Sequence, residues 1–245
     1  MDFIGQKILN ETDLLRNDQP HYFKNFLENP NLLVSWSDIE SCINRPEIFN
    51  FELIDKDTNM KIEIPQANKT WVWDKLVQDK GFIFDKVNRG HGLVIMNYAS
   101  FSEHTNRLMS IFENIFDVNA AIHVYCGLSG SASFPIHDDY PVNFIVQIEG
   151  KTRWKVFKNR SSSLFKIGSL NDKRHDKKID EADLEVAIDI ELQPGDALYI
   201  PSRCFHVAYP IEKRISVSIP CWIKYPNDPQ SKSSDRNWYK IQHQG

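Results

Sequence analysis

Two regimes of apolar spacing divide the chain. From about residue 119 onward, short runs rich in β-forming residues follow one another as AAIHVYC, VNFIVQI, TRWKVF, LEVAIDIEL, DALYI, HVAYP and RISVSIPCW. In LEVAIDIEL, Val186, Ile188, Ile190 and Leu192 alternate with mostly polar residues, the period of a half-buried antiparallel strand. Glu149-Gly150 and Pro194-Gly195-Asp196 punctuate the series as turns. Short strands of this kind predict a sandwich or barrel. Ser161 to Asp183 interrupts them and reads as a long loop bordering a site.

The N-terminal regime is mixed. Residues 1 to about 48 read as helical, with Phe23, Phe26 and Leu27 at helical spacing after Pro20. Ser37-Asp-Ile-Glu40 reads as a capping box opening a short helix that stops before Pro46. Residues 49 to 64 alternate around a polar turn and predict a hairpin. Trp71 and Trp73 read as packing aromatics of a lid, ahead of a short helical piece. Gly92 to Tyr98 is a buried strand, and Ser100-Phe-Ser-Glu103 a second capping box. The helix it opens carries Leu108, Ile111, Phe112 and Ile115 on one apolar face. With no internal repeat or flexible linker, residues 1–245 are expected to form a single domain. Residues 1–90 are its helical and hairpin lead-in, 91–222 its β-barrel core and 223–245 a C-terminal tail.

Composition narrows the classes. Hydrophobic residues make up 41% and aromatics 12%, enough for a substantial core. A net charge of −4 disfavours a general nucleic-acid binder. The basic run from Lys151 to Lys178 is diluted by Asp172, Asp176 and Asp180 and reads as a solvated loop. Cys42, Cys126, Cys204 and Cys221 have no close CxxC spacing. No basic-then-apolar leader opens the sequence, and no apolar run approaches the ~20 residues that span a bilayer. The expectation is a cytoplasmic protein without a membrane segment.

The chemistry concentrates in FPIHDDYPVNFIVQIEGKTRWKVF and LYIPSRCFHVAYP. In a strand, side chains two apart share a face, so His137 and Asp139 converge while Asp138 faces away. His206, from a distant strand, would complete two imidazoles and one carboxylate. That set leaves coordination positions open and suits a non-haem Fe(II) that activates O2. Taken singly, an H-x-D triplet is common by chance, and a lone histidine such as His206 is more often core.

In order, the motifs H-x-D, FIVQIEG-x-x-RW and PGD-x-LYIP-x-x-x-FH resemble the JmjC and cupin-like Fe(II)/2-oxoglutarate oxygenases. They are most similar to the branch of ribosomal-protein and asparaginyl hydroxylases. The resemblance covers roughly residues 90 to 222. It implies a mainly β fold with flanking helices, a double-stranded β-helix (jelly-roll) barrel with the metal at its mouth. His137, Asp139 and His206 match the family's ligands. Fe(II), the cosubstrate 2-oxoglutarate and O2 are implied, as is hydroxylation of a protein, peptide or amino-acid side chain, or a small-molecule substrate, with release of succinate and CO2. Dimers are common in that branch, which leaves a homodimer open. The winged-helix domain of the ribosomal oxygenases is not expected here.

One departure stands out. Fifteen residues after the first histidine the family carries a lysine or arginine that pairs with the 5-carboxylate of 2-oxoglutarate. Here that position is Thr152, and its neighbours Lys151 and Arg153 face the other way in a strand. Arg214 and Ser216 offer a substitute if their strand turns them inward, since a guanidinium pairs bidentately with carboxylates. The alternative is that Arg214 is a solvent-facing charge. Thr152 keeps a role as hydrogen-bond donor to the cosubstrate. Tyr125 matches a tyrosine lining the cosubstrate pocket; Asn143 and Ser218 are further lining candidates, and His123 reads as core or lining. Asp138 and Tyr140 are expected at the rim. Two alternatives to the oxygenase stand: a cupin metalloenzyme not using 2-oxoglutarate, and a non-catalytic cupin binding module.

Overall fold

The structure is a computed structural model that describes residues 18–68, 76–161 and 179–223. Trp71, Trp73, most of the 161–183 loop and the tail with Trp238 and Tyr239 lie outside them. Fourteen strands are present among the described residues: β1 (His21–Phe23), β2 (Asn50–Ile54), β3 (Lys61–Ile62), β4 (Gln66–Asn68), β5 (Leu76–Gln78), β6 (Gly92–Met96), β7 (Val118–Ala120), β8 (His123–Gly127), β9 (Val142–Glu149), β10 (Thr152–Arg160), β11 (Val186–Leu192), β12 (Ala197–Ile200), β13 (Cys204–Pro210) and β14 (Arg214–Ile223). Helices α1 (Trp36–Ile43), α2 (Lys80–Asn88) and α3 (Glu103–Phe116) flank them. No helix here is long and apolar enough to cross a membrane.

Nine strands form the major sheet in the order β1-β12-β9-β14-β8-β6-β2-β3, with β7 pairing β14, and β11-β10-β13 form a minor sheet. All these pairings are antiparallel. Two facing antiparallel sheets are the jelly-roll barrel that the strand pattern predicts.

Alternation along the two central strands of the major sheet divides two cores. Phe144, Val146 and Ile148 of β9, with Ile215, Val217, Ile219 and Cys221 of β14, join the helix-side cluster. There Phe112 of α3 meets Phe144 edge-on at 4.8 Å between ring centroids. The intervening Ile145 faces the opposite way and packs with Trp154, Val156, Leu192, Leu198 and Ala208 between the sheets. The polar members of that inner face, Asn143, Gln147, Arg214, Ser216 and Ser218, are buried too. A buried face holding this many polar groups is a site, because buried polar groups need partners.

Three local readings change. The 20–27 segment is not helical: β1 pairs with β12, and Asp196 ties it down, accepting from Tyr22 Oη and Asn25 N, each at 2.9 Å. The spacing of Phe23 and Phe26 comes from a strand followed by a turn with Asn25 at φ +50°. Both helix starts shift. Ser35, not Ser37, caps α1 in a box with Asp38, and Ser102, not Ser100, caps α3 in a box with Thr105. At each site the capping residue is extended, and the third helical residue, Asp38 or Thr105, returns the bond in place of Glu40 or Glu103.

Candidate metal centre

His137, Asp139 and His206 come together at one end of the space between the sheets, each offering a ligand atom within 4.8 Å of the others. The imidazole centroids of His137 and His206 are 4.3 Å apart, and His206 Nε2 lies 3.6 Å from Asp139 Oδ2. His206 is on β13 as expected. The H-x-D segment is not a regular strand: His137 forms only a bridge to His206, with backbone bonds of 3.2 and 2.9 Å. Pro135 and Pro141 flank it, and proline lacks the N–H a longer ladder needs. The alternation nevertheless holds across the triplet.

Both rings have their tautomer fixed from behind. His137 Nδ1 lies 2.7 Å from the carbonyl of Pro135, and His206 Nδ1 lies 2.9 Å from that of Cys204. A carbonyl only accepts, so each Nδ1 carries the proton and each Nε2 the lone pair, the arrangement metal-binding histidines use. Burial, and then the neighbouring His206, lower the pKa of His137 and favour the neutral imidazole that a cation requires. Asn143 Nδ2 donates to Asp139 Oδ2 at 2.7 Å, and its own Oδ1 accepts from Ser218 at 3.1 Å. The carboxylate is thus oriented. On donor chemistry alone, this facial set fits a non-haem Fe(II) with open positions.

The cavity beyond the triplet is lined by Tyr125, Ile145, Trp154, Ala208, Arg214, Ser216 and Ser218, together with Ser133, Phe134 and Asn143. Strand register sets their depth. Opposite His206 is Val156, then Ala208 opposite Trp154, then Pro210 opposite Thr152. On the facing sheet Ser218, Ser216 and Arg214 descend in step opposite His123, Tyr125 and Gly127. Arg214 therefore stands at the deep end, 2% exposed, and no carboxylate pairs with it among the described residues. Its nearest side-chain partner is Ser216 Oγ at 3.4 Å, itself donating to Gln147 at 2.9 Å. Burial pushes the guanidinium down to about 10, so it stays charged at neutral pH. Burial likewise raises the Tyr125 phenol, which remains a protonated donor.

The other candidates divide. Thr152 is fully buried on the inner side of β10, its hydroxyl without a partner among the described residues, but it does not line the cavity. Lys151 and Arg153 face outward, toward Glu191 and Glu212 and toward Asp189. His123 is not a lining residue; its Nδ1 accepts from Asn97 N at 3.1 Å. Asp138 faces away from the cavity but not to the rim: its side chain is 6% exposed, against Arg203. Ile145, Trp154, Ala208 and Phe134 also line the cavity, although the sequence marks none of them as a site residue. Trp154 shares the inward phase of Thr152 and Val156 along β10, a signal that was available.

A JmjC domain match covers residues 95–228, more than half of the chain. The chain belongs to the JmjC family. It is 30% identical over 129 residues to ribosomal oxygenase 1 of Gallus gallus, covering 51% of this chain and 20% of that protein. It is 28% identical over 135 residues to the bifunctional lysine-specific demethylase and histidyl-hydroxylase NO66 of Drosophila yakuba, covering 54% and 19%. The matched stretch thus spans about a fifth of these curated relatives. Among solved structures, Escherichia coli ribosomal oxygenase YcfD superposes with TM-score 0.58 at 19% identity, over 88% of this chain and 52% of that one. Its complex with cobalt and 2-oxoglutarate gives 0.60 at 19% identity, over 96% and 59%. The JmjC assignment accords with the double-stranded β-helix.

Proposed function

We propose that this JmjC chain is an Fe(II)- and 2-oxoglutarate-dependent oxygenase that hydroxylates a protein, peptide or amino-acid side chain. The observation that carries the reading is the convergence of His137, Asp139 and His206 with both imidazole tautomers preset. Bound there, Fe(II) with 2-oxoglutarate and O2 would supply the oxidant for inserting oxygen into a C–H bond, with succinate and CO2 as coproducts. His137, Asp139 and His206 hold the ion, and Asn143 orients Asp139. Arg214 and Ser216 take the far carboxylate of the cosubstrate, and Tyr125 donates a hydrogen bond from the same wall. Trp154, Ile145 and Ala208 keep water from the reacting end. The relatives named as a ribosomal oxygenase and as a demethylase and histidyl-hydroxylase support a protein side chain as substrate. We further propose that the described residues belong to the single domain expected for residues 1–245, supported by β1, β2 and β3 sharing the barrel's major sheet.

The test is anaerobic titration of the protein with Fe(II) and 2-oxoglutarate, followed by air. A weak visible charge-transfer band and succinate formation are expected. Metal binding without the band would leave an iron protein that does not use 2-oxoglutarate.

A further inference from the structure

We propose that Arg203 and Asp138 form a positioning latch that sets the spacing of the metal ligands without lining their cavity. The inference rests on the metal reading above. Arg203 has φ +65°, a left-handed conformation that a residue with a Cβ rarely adopts and that glycine adopts without strain. A long cationic side chain there needs a compensating reason, and its contacts supply one.

Arg203 makes three contacts, to two separate segments. Its N–H donates to the carbonyl of Asp139, a ligand, at 2.7 Å. Its carbonyl accepts from Ser161 N, just past the end of β10, at 3.1 Å. Its guanidinium Nη1 lies 3.2 Å from Asp138 Oδ2, and that oxygen also accepts from Ser161 Oγ at 2.7 Å. The two side chains are only 10% and 6% exposed, so removing one partner strands a buried charge. The paired backbone bonds between His137 and His206 lie immediately alongside.

Two consequences follow for the ion. The H-x-D turn is too short to be held by a ladder, so the Arg203 bonds to Asp138 and Asp139 fix where Asp139 sits relative to His206. Asp138, meanwhile, is a carboxylate between two ligands and is itself a competent metal ligand. The guanidinium holds it on the far side and neutralises it. Groups that orient metal ligands from behind typically account for roughly 10–100-fold in metal affinity.

The experiment uses the full chain, with Co(II) as an anaerobic spectroscopic probe and the melting temperature of the metal-free protein recorded for every variant. Arg203→Gly relieves the left-handed backbone but leaves the Asp138 carboxylate buried without its partner, so its metal-free melting temperature should fall, while Co(II) binding by the folded protein weakens roughly 10–100-fold. Arg203→Lys should recover part of that loss. Should the glycine variant fail to fold, Asp138→Asn serves instead, with a roughly tenfold weakening expected. Adding Asp138→Asn to Arg203→Gly should cost little more than Arg203→Gly alone, since the two act as one unit. Wild-type Co(II) affinity in folded Arg203→Gly or Asp138→Asn, or an Arg203→Lys variant that recovers the melting temperature without recovering any Co(II) affinity, overturns the latch. Absence of Co(II) binding by the wild-type chain instead overturns the metal reading on which it rests.

Discussion

Arg214 is a full positive charge whose buried neighbours are hydroxyls, amides and aromatic rings. Such a group is costly to keep without an anion, and truncating a buried charge from its partner typically costs 2–5 kcal/mol. Arg214→Ala should therefore raise the apparent KM for 2-oxoglutarate by about two orders of magnitude, roughly 3 kcal/mol, in steady-state succinate assays. Lys151→Ala, on the outer face, should leave it within about twofold. Equal effects would remove Arg214 as the anchor. The three ligand candidates were readable as residues because spacing alone brings His137 and Asp139 together, and a turn motif announces His206. The inward orientation of Arg214 was not readable. Which face of a strand is inner depends on where the helices pack, and β14 alternates equally well either way. Asp138 was equally opaque, since its partner lies 65 residues away in sequence.

At the level of elements, the strands were plain in the sequence because their β-branched and aromatic runs are bounded by turn residues. The helix starts were not, because serines two apart compete for the cap. Ser35 and Ser102 win through the geometry of Asp38 and Thr105. The β1 strand is not legible in the sequence, because three apolar residues cannot distinguish a helix from a strand and turn. Gly150, at φ +66°, closes the β9–β10 turn where an added Cβ would stand 2.0 Å from the carbonyl oxygen of Lys213. Phe144 joins α3 to the major sheet at 1% exposure. Phe144→Ala should destabilise the protein by about 3–5 kcal/mol in denaturant titrations. Because Phe144 points to the helix side, residual folded protein should keep its Co(II) affinity. Affinity lost in step with stability would show that the two faces are not separable.

For the molecule as a whole, the ligands come from two segments that are distant in the chain, so an ion bound there ties the barrel together. At free Co(II) a hundredfold above Kd, folding should gain about 2.7 kcal/mol, read as a higher melting temperature that a chelator reverses. His137→Ala should abolish that gain; an equal rise in the variant would place the ion elsewhere. The same architecture carries a genetic consequence. Within Val142–Glu149 and Arg214–Ile223 one side of the backbone is oily and the other is the reaction chamber. Loss or gain of a single codon in either stretch would exchange the two sides for the remainder of the strand, sending the serines into the helical layer and the phenylalanine into the chamber. A two-codon change would preserve the phase. In-frame variants of odd and even length should differ sharply in harm, although the odd one can alter fewer residues.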